Sequence, residues 1–167
     1  MELTLDPSSA GDIVRLGEMI KVATREQHPV HHPDFEYIGP DILAFRDSPS
    51  AKAVAERGAH ARNAVVMSTG KLEWEDPSTW RGNIDRSPCG SGTSAIMALL
   101  HAKGELPDGP FVHKSVVGGI FVGEVVAESE AGITTTITGQ ACVSQITEVV
   151  VDAEDPFPEG FTLRDIW

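Results

Sequence analysis

Residues 93–103, Thr-Ser-Ala-Ile-Met-Ala-Leu-Leu-His-Ala-Lys, carry Ala95, Ile96, Ala98, Leu99, Leu100 and Ala102 around nearly the whole circumference of a helix. That pattern predicts a helix buried on all sides. Gly104 is a natural stop for it. The chain after it has a different character. Residues 111–117, 120–127, 133–138 and 143–151 are rich in Val, Ile and Thr and read as strands. Gly118-Gly119 reads as one hairpin turn and residues 129–132 as a second. A long buried helix among several strands implies an α+β domain, mainly antiparallel, with the strands wrapped around a central helix.

Upstream of that helix the pattern is mixed. Pro7, Ser8 and Ser9 offer a helix start, and Ile13, Leu16, Ile20 and Ala23 follow one helical face, with Arg15, Glu18 and Lys21 off it. The pattern ends near Gln27, because Pro29 and Pro33 push their preceding residues toward extended geometry. Residues 37–45 read as extended, 64–67 as a short buried strand, and 73–81 as a polar connection carrying Trp74 and Trp80. The two tryptophans read as packing under the loop, residues 85–92, that leads into the helix. No repeat or low-complexity segment appears.

Composition bounds the function. The 167 residues suit a single domain spanning 1–167, and 41% hydrophobic content is enough for a core. A net charge of −12 argues against nucleic acid and against anionic membranes as partners. No apolar run reaches the length of a membrane span and no signal peptide is recognisable, so the default location is cytoplasmic. The two cysteines, Cys89 and Cys142, are too few for a disulfide framework.

The chemistry concentrates just ahead of the buried helix, in Asp85-Arg86-Ser87-Pro88-Cys89-Gly90-Ser91-Gly92-Thr93-Ser94-Ala95. Gly90 and Gly92 let the backbone turn sharply and let a ligand approach. A helix start presents free N–H groups and partial positive charge, binds carboxylate or phosphate, and favours the thiolate of a cysteine placed there. Asp85, four residues upstream, would receive a cationic amine. Thiolate, anion cradle and carboxylate together suit an α-amino acid with a base near its Cα. Other readings fit less well. Gly90-x-Gly92-x-x-Ala95 lacks the hydrophobic parallel strand of a dinucleotide site, and there is no lysine for a phosphate loop. His60, His101 and His113 are available to a cysteine nucleophile, but nothing in the sequence places them near it. A buried packing cysteine is the plain alternative.

This eleven-residue segment resembles the second cysteine motif of proline racemases, hydroxyproline 2-epimerases and trans-3-hydroxyproline dehydratases. Residues 31–33, 61–66 and 152–160 resemble the same family in the same order. The resemblance implies one domain of a diaminopimelate epimerase-like fold and a two-base mechanism with no cofactor and no metal. Cys89 would be one acid/base. Asp85 would hold the amine of proline or hydroxyproline, and the N–H groups of Gly90 and Ser91 would hold its carboxylate. The family's first half, which carries the other catalytic cysteine, is absent, so the chain reads as half of a site. A complementary N-terminal half or a homodimer would complete it. Cys142 lacks a following glycine and reads as a packing residue, and His28, His31 and His32 read as loop residues. A dehydratase that expels hydroxide after the same proton abstraction is the alternative enzyme. An inactive fragment or a partner-binding subunit is the non-enzymatic one.

Overall fold

A computed structural model describes residues 5–29, 36, 39–40, 42–47, 58–68, 73, 75–130 and 132–157. Asp6 accepts the Ser8 N–H and opens a short 3-10 turn, Pro7–Ser9, which leads into helix α1, Ala10–Gln27. The helix ends where the sequence places its end, but a different face turns inward. Ile13, Gly17, Glu18, Lys21 and Val22 are buried, while Leu16 and Ile20 are half-buried. Glu18 and Lys21, expected off the apolar face, are both 0% exposed and pair at 2.7 Å. Mutual neutralisation is what makes such burial tolerable.

The strands are β1 (Ile42–Arg46), β2 (Ala61–Ser68), β3 (Gly82–Ile84), β4 (Phe111–Ser115), β5 (Ile120–Ser129) and β6 (Gly132–Gly139). They form one sheet in the order β1-β2-β4-β5-β6, with β3 also paired to β2. The sheet is mixed, because β2 and β4 run parallel while the other pairs are antiparallel. β3 has no counterpart in the sequence reading, and it pairs antiparallel with β2, so it is not the parallel strand a dinucleotide site requires. Three residues suffice because Val66, Met67 and Ser68 of β2 template them. The expected strand at 37–45 shrinks to β1, with Tyr37, Ile38 and Asp41 outside the described residues.

Helix α2 spans Gly90–Ala102. Gly104, at φ +69°, ends it as expected. The helix is not buried on all sides. Ile96, Met97 and Leu100 join Ala61 and Phe111 in one core cluster, but Ala95, Ala98 and Ala102 are exposed and Leu99 is 48% exposed. The mixed sheet curls as a half-barrel over one face of α2, so the wrapping is partial. A second cluster, Ile13, Ala64, Val66 and Val116, packs under α1, so β2 contributes to both cores.

The largest departure lies at residues 143–151. They form no strand, and Val143, Ile146, Val149, Val150 and Val151 are exposed. Cys142 is exposed too, not packed. A β-forming sequence needs a neighbouring strand to complete its ladder, and this segment has none among the described residues. His31, His32, Trp74 and residues 158–167 lie outside the described residues. No helix among the described residues is long and apolar enough to cross a membrane.

Candidate active site

Five residues join β3 to α2, and their folding sets a sulfur at a helix N-terminus. Asp85 N–H donates to Val65 O at 2.9 Å, which extends the β3 ladder by one bond. Its Oδ1 accepts the Ser87 N–H at 2.8 Å, an Asx turn. Ser87 Oγ in turn accepts the Cys89 N–H at 3.1 Å. Cys89 follows with φ +61° and ψ 121°, the sole positive φ at a non-glycine among the described residues. A side chain in that region costs on the order of 1–3 kcal/mol and persists only where the surroundings enforce it.

Cys89 is the N-cap of α2, and its Sγ accepts the Gly92 N–H at 3.4 Å. The sulfur therefore occupies the place a serine or aspartate oxygen usually fills. Ser91 Oγ lies 3.5 Å from it. Thr93 N–H donates to Cys89 O at 2.8 Å. The N–H groups of Gly90 and Ser91, first and second in the helix, have no partner among the described residues. Free N–H groups and the positive end of the helix beside a sulfur suit an anionic group next to a proton-transfer centre.

Asp85, Ser87, Cys89 and Gly90 line a cleft of about 590 Å3, together with Phe121, Ile137, Gly139, Gln140 and Ala141. Cys89 is 9% exposed, so its opening to the outside is through this cleft. A cavity of similar volume, about 580 Å3, borders the C-terminal end of α2 and includes His101, Asp108, Glu124 and Glu128. It offers a His101–Glu128 contact of 3.3 Å between exposed side chains, but no nucleophile.

A second layer supports the loop. Asn63 Nδ2 donates to Pro88 O at 2.7 Å, and Thr93 Oγ1 lies 3.3 Å from the same oxygen. Thr93 Oγ1 is also 2.9 Å from His113 Nδ1. His113 is fully buried against Phe111, with ring centroids 5.4 Å apart. Burial first, and the positive charge of Arg46 second, lower its pKa from 6.5 to about 4, with Asp47 opposing. On the hairpin side, Ser115 Oγ donates to Arg86 O at 2.7 Å and accepts the Gly119 N–H at 3.0 Å.

Of the residues singled out in the sequence, Asp85, Cys89 and Gly90 meet in the cleft. Ser91 stands at the helix start, exposed and outside the cleft lining. His113 bonds Thr93 and not the sulfur, His60 accepts from Val112 N–H, and His101 is at the far end of α2. His28 is exposed at the end of α1. Trp80 donates to Glu73 O and lines a groove with Ala10, Val14 and Ile84, away from the cysteine cleft. Sequence reasoning missed Ser87, Phe121, Ile137, Asn63 and Thr93. Ser87 was within reach, since it lies between two residues already chosen. The others come from strands and helix turns whose pairing the sequence does not specify.

The proline racemase family model matches residues 1–162. The proline racemase of Clostridioides difficile is 33% identical over 168 residues, covering 97% of this chain and 45% of that protein. The 4-hydroxyproline 2-epimerase of Streptosporangium roseum is 40% identical over 167 residues, covering 96% and 45%. Among solved structures, a hydroxyproline epimerase from Agrobacterium vitis with bound trans-4-hydroxy-L-proline superposes with a TM-score of 0.73 at 33% identity. That match covers 99% of this chain and 44% of the other. The chain thus spans about half the length of the relatives it matches.

Proposed function

Because the chain belongs to the proline racemase family, we propose that it supplies one half of a racemase or epimerase site that inverts Cα of proline or a hydroxyproline. The observation that carries this reading is Cys89 Sγ at the start of α2, opening onto a cleft it shares with Asp85. In one direction the Cys89 thiolate takes the Cα proton. The S–H bond forms as the C–H bond breaks, and the electron pair passes into the substrate carboxylate as enediolate character. A proton delivered to the opposite face by a second group, not found beside Cys89 among the described residues, restores the C–H bond with inverted configuration. In the reverse direction the Cys89 thiol is the donor.

Each neighbour has a role in that scheme. The N–H groups of Gly90 and Ser91 stabilise the charge that builds on the carboxylate. Asp85 holds the substrate amine, with its Oδ1 steadied by Ser87 N–H. Phe121 and Ile137 supply apolar surface for a pyrrolidine ring. The scheme needs no cofactor, since the carboxylate itself carries the developing charge. Loss of a 3-hydroxyl from the same carbanion would give the dehydratase instead.

A second reading rests on the exposed side chains of Leu99, Val143, Ile146 and Val149. In it the chain is a subunit that requires a partner, either a complementary half or a second copy, before any chemistry occurs.

The deciding experiment is Cα hydrogen–deuterium exchange, with L-proline and with trans-4-hydroxy-L-proline in heavy water, followed by NMR. Exchange with inversion, abolished in Cys89→Ala, is the expected result if copies of the chain assemble a complete site. Exchange without inversion would mark a single working base. Exchange that persisted in Cys89→Ala would sink the assignment of Cys89.

A further inference from the structure

Cys89 is held against the preference of its own backbone, and most of what holds it comes from outside the loop. Two peptide planes flank its Cα. In the first, Cys89 N–H donates to Ser87 Oγ at 3.1 Å, and Pro88 O faces Asn63 Nδ2 at 2.7 Å and Thr93 Oγ1 at 3.3 Å. In the second, Cys89 O accepts Thr93 N–H at 2.8 Å. Peptide planes are rigid, so pinning both determines φ and ψ at the residue between them. Thr93 pins both. Asn63 reaches in from β2, and His113 stands behind Thr93 on β4.

The direction of the hydrogen bonds follows from counting protons. His113 is neutral near pH 7, so one ring nitrogen carries a hydrogen and the other a lone pair. Thr93 has one hydroxyl proton and two neighbours. If it gives that proton to His113 Nδ1, then Nε2 becomes a buried N–H, and Nε2 has no partner among the described residues. A buried orphan N–H is the arrangement proteins avoid most consistently. If Thr93 instead donates to Pro88 O, it accepts from His113 Nδ1–H and leaves Nε2 as a bare lone pair.

We propose that Asn63, Thr93 and His113 are positioning residues for Cys89. His113 Nδ1–H donates to Thr93 Oγ1, Thr93 O–H donates to Pro88 O, and Asn63 Nδ2–H joins at the same oxygen. The relay fixes the strained Pro88–Cys89 peptide and so keeps Sγ at the Gly92 N–H, facing the cleft. It touches neither substrate nor the reacting atoms. Its purpose rests on the reading of Cys89 as a proton-transfer group, but it can be tested without substrate.

Iodoacetamide alkylation of Cys89 reads the thiolate directly. The full chain would carry Cys142→Ser, an exposed position outside the site, and modification would be followed by peptide mass spectrometry. Thr93→Val and Asn63→Ala are each expected to slow alkylation at pH 7 by roughly tenfold, because Sγ is no longer held at the Gly92 N–H facing the cleft. Thr93→Ser keeps the hydroxyl and is expected to restore the rate to within about twofold. Thermal unfolding of each variant verifies the fold, and if Asn63→Ala fails to fold, the Thr93 pair decides. An unchanged rate in folded Thr93→Val, or equal losses in Thr93→Ser and Thr93→Val, would overturn the relay. Imidazole 15N NMR should show His113 Nε2 unprotonated, and a protonated Nε2 would overturn the direction assigned. Expected alkylation without Cα exchange would count against a working base in this chain by itself and leave the relay standing. Normal exchange with insensitive alkylation would do the reverse.

Discussion

At the scale of single residues, Thr93 Oγ1 stands 3.3 Å from Pro88 O and 2.9 Å from His113 Nδ1, joining the cysteine loop to the sheet. Asp85 and Cys89 lie directly ahead of α2, so the chemistry proposed for them is readable from spacing. Asn63 and His113 reach the loop through the parallel pairing of β2 with β4, and parallel neighbours lie far apart in sequence. His113 also has a consequence for stability. Its folded pKa of about 4 lies below the unfolded value of 6.5, so the unfolded chain takes up a proton that the native state refuses. The stabilisation is complete above about pH 6.5 and is lost as pH falls toward 4, in total roughly 3 kcal/mol. Urea unfolding at intervals from pH 7.5 to 4 should show this loss in the native sequence. His113→Asn, with no imidazole to protonate, should be less stable at neutral pH but should lose less over that interval. Parallel pH curves for the two proteins would remove His113 as the cause.

At the scale of elements, α1 shows how periodicity finds a helix and still mistakes its inner face. Its ends follow from Pro7 and Pro29, but the buried stripe includes Glu18 and Lys21, at 0% exposure. Hydropathy counts each of them as polar, whereas the pair is neutral as a unit. Lys21 Nζ also donates to Ser68 Oγ at 2.6 Å, and Glu18 Oε2 accepts from the same hydroxyl at 3.1 Å. The pair thereby ties α1 to the end of β2 where β3 joins. Gly82 belongs to the same junction, since a Cβ there would lie 2.5 Å from Glu18 Oε1 and 2.7 Å from Met67 O. β3 runs directly into Asp85, so the junction sets the height of the cysteine loop over the sheet. Lys21→Met alone leaves a buried carboxylate unpaired and should cost about 3–5 kcal/mol in chemical denaturation. The double change Glu18→Gln with Lys21→Met should cost clearly less, because no charge is left stranded. Equal losses in the two proteins would mean that shape, and not charge, governs the site.

At the scale of the whole molecule, the two largest misreadings point the same way. The sequence predicts α2 buried on all sides and a strand at 143–151, yet one face of α2 and that whole segment are exposed. Both patterns are those of residues that belong in an interior. Val143, Ile146, Val149, Val150 and Val151 are 67–96% exposed, a concentration of apolar side chains that monomers rarely leave uncovered. Self-association is therefore expected, and sedimentation velocity from low to high micromolar concentration would detect it. Val143→Lys with Ile146→Lys should keep the chain monomeric. The same variant should retain its unfolding free energy to within about 0.5 kcal/mol, because neither residue contributes to a core cluster. Association can then be related to chemistry. If a second copy supplies the second proton-transfer group of the proposed site, Cα inversion per mole of chain rises with concentration until the assembly saturates, and falls away in the lysine variant. If inversion per mole is constant while the chain remains monomeric, a second copy is excluded as the source of that group.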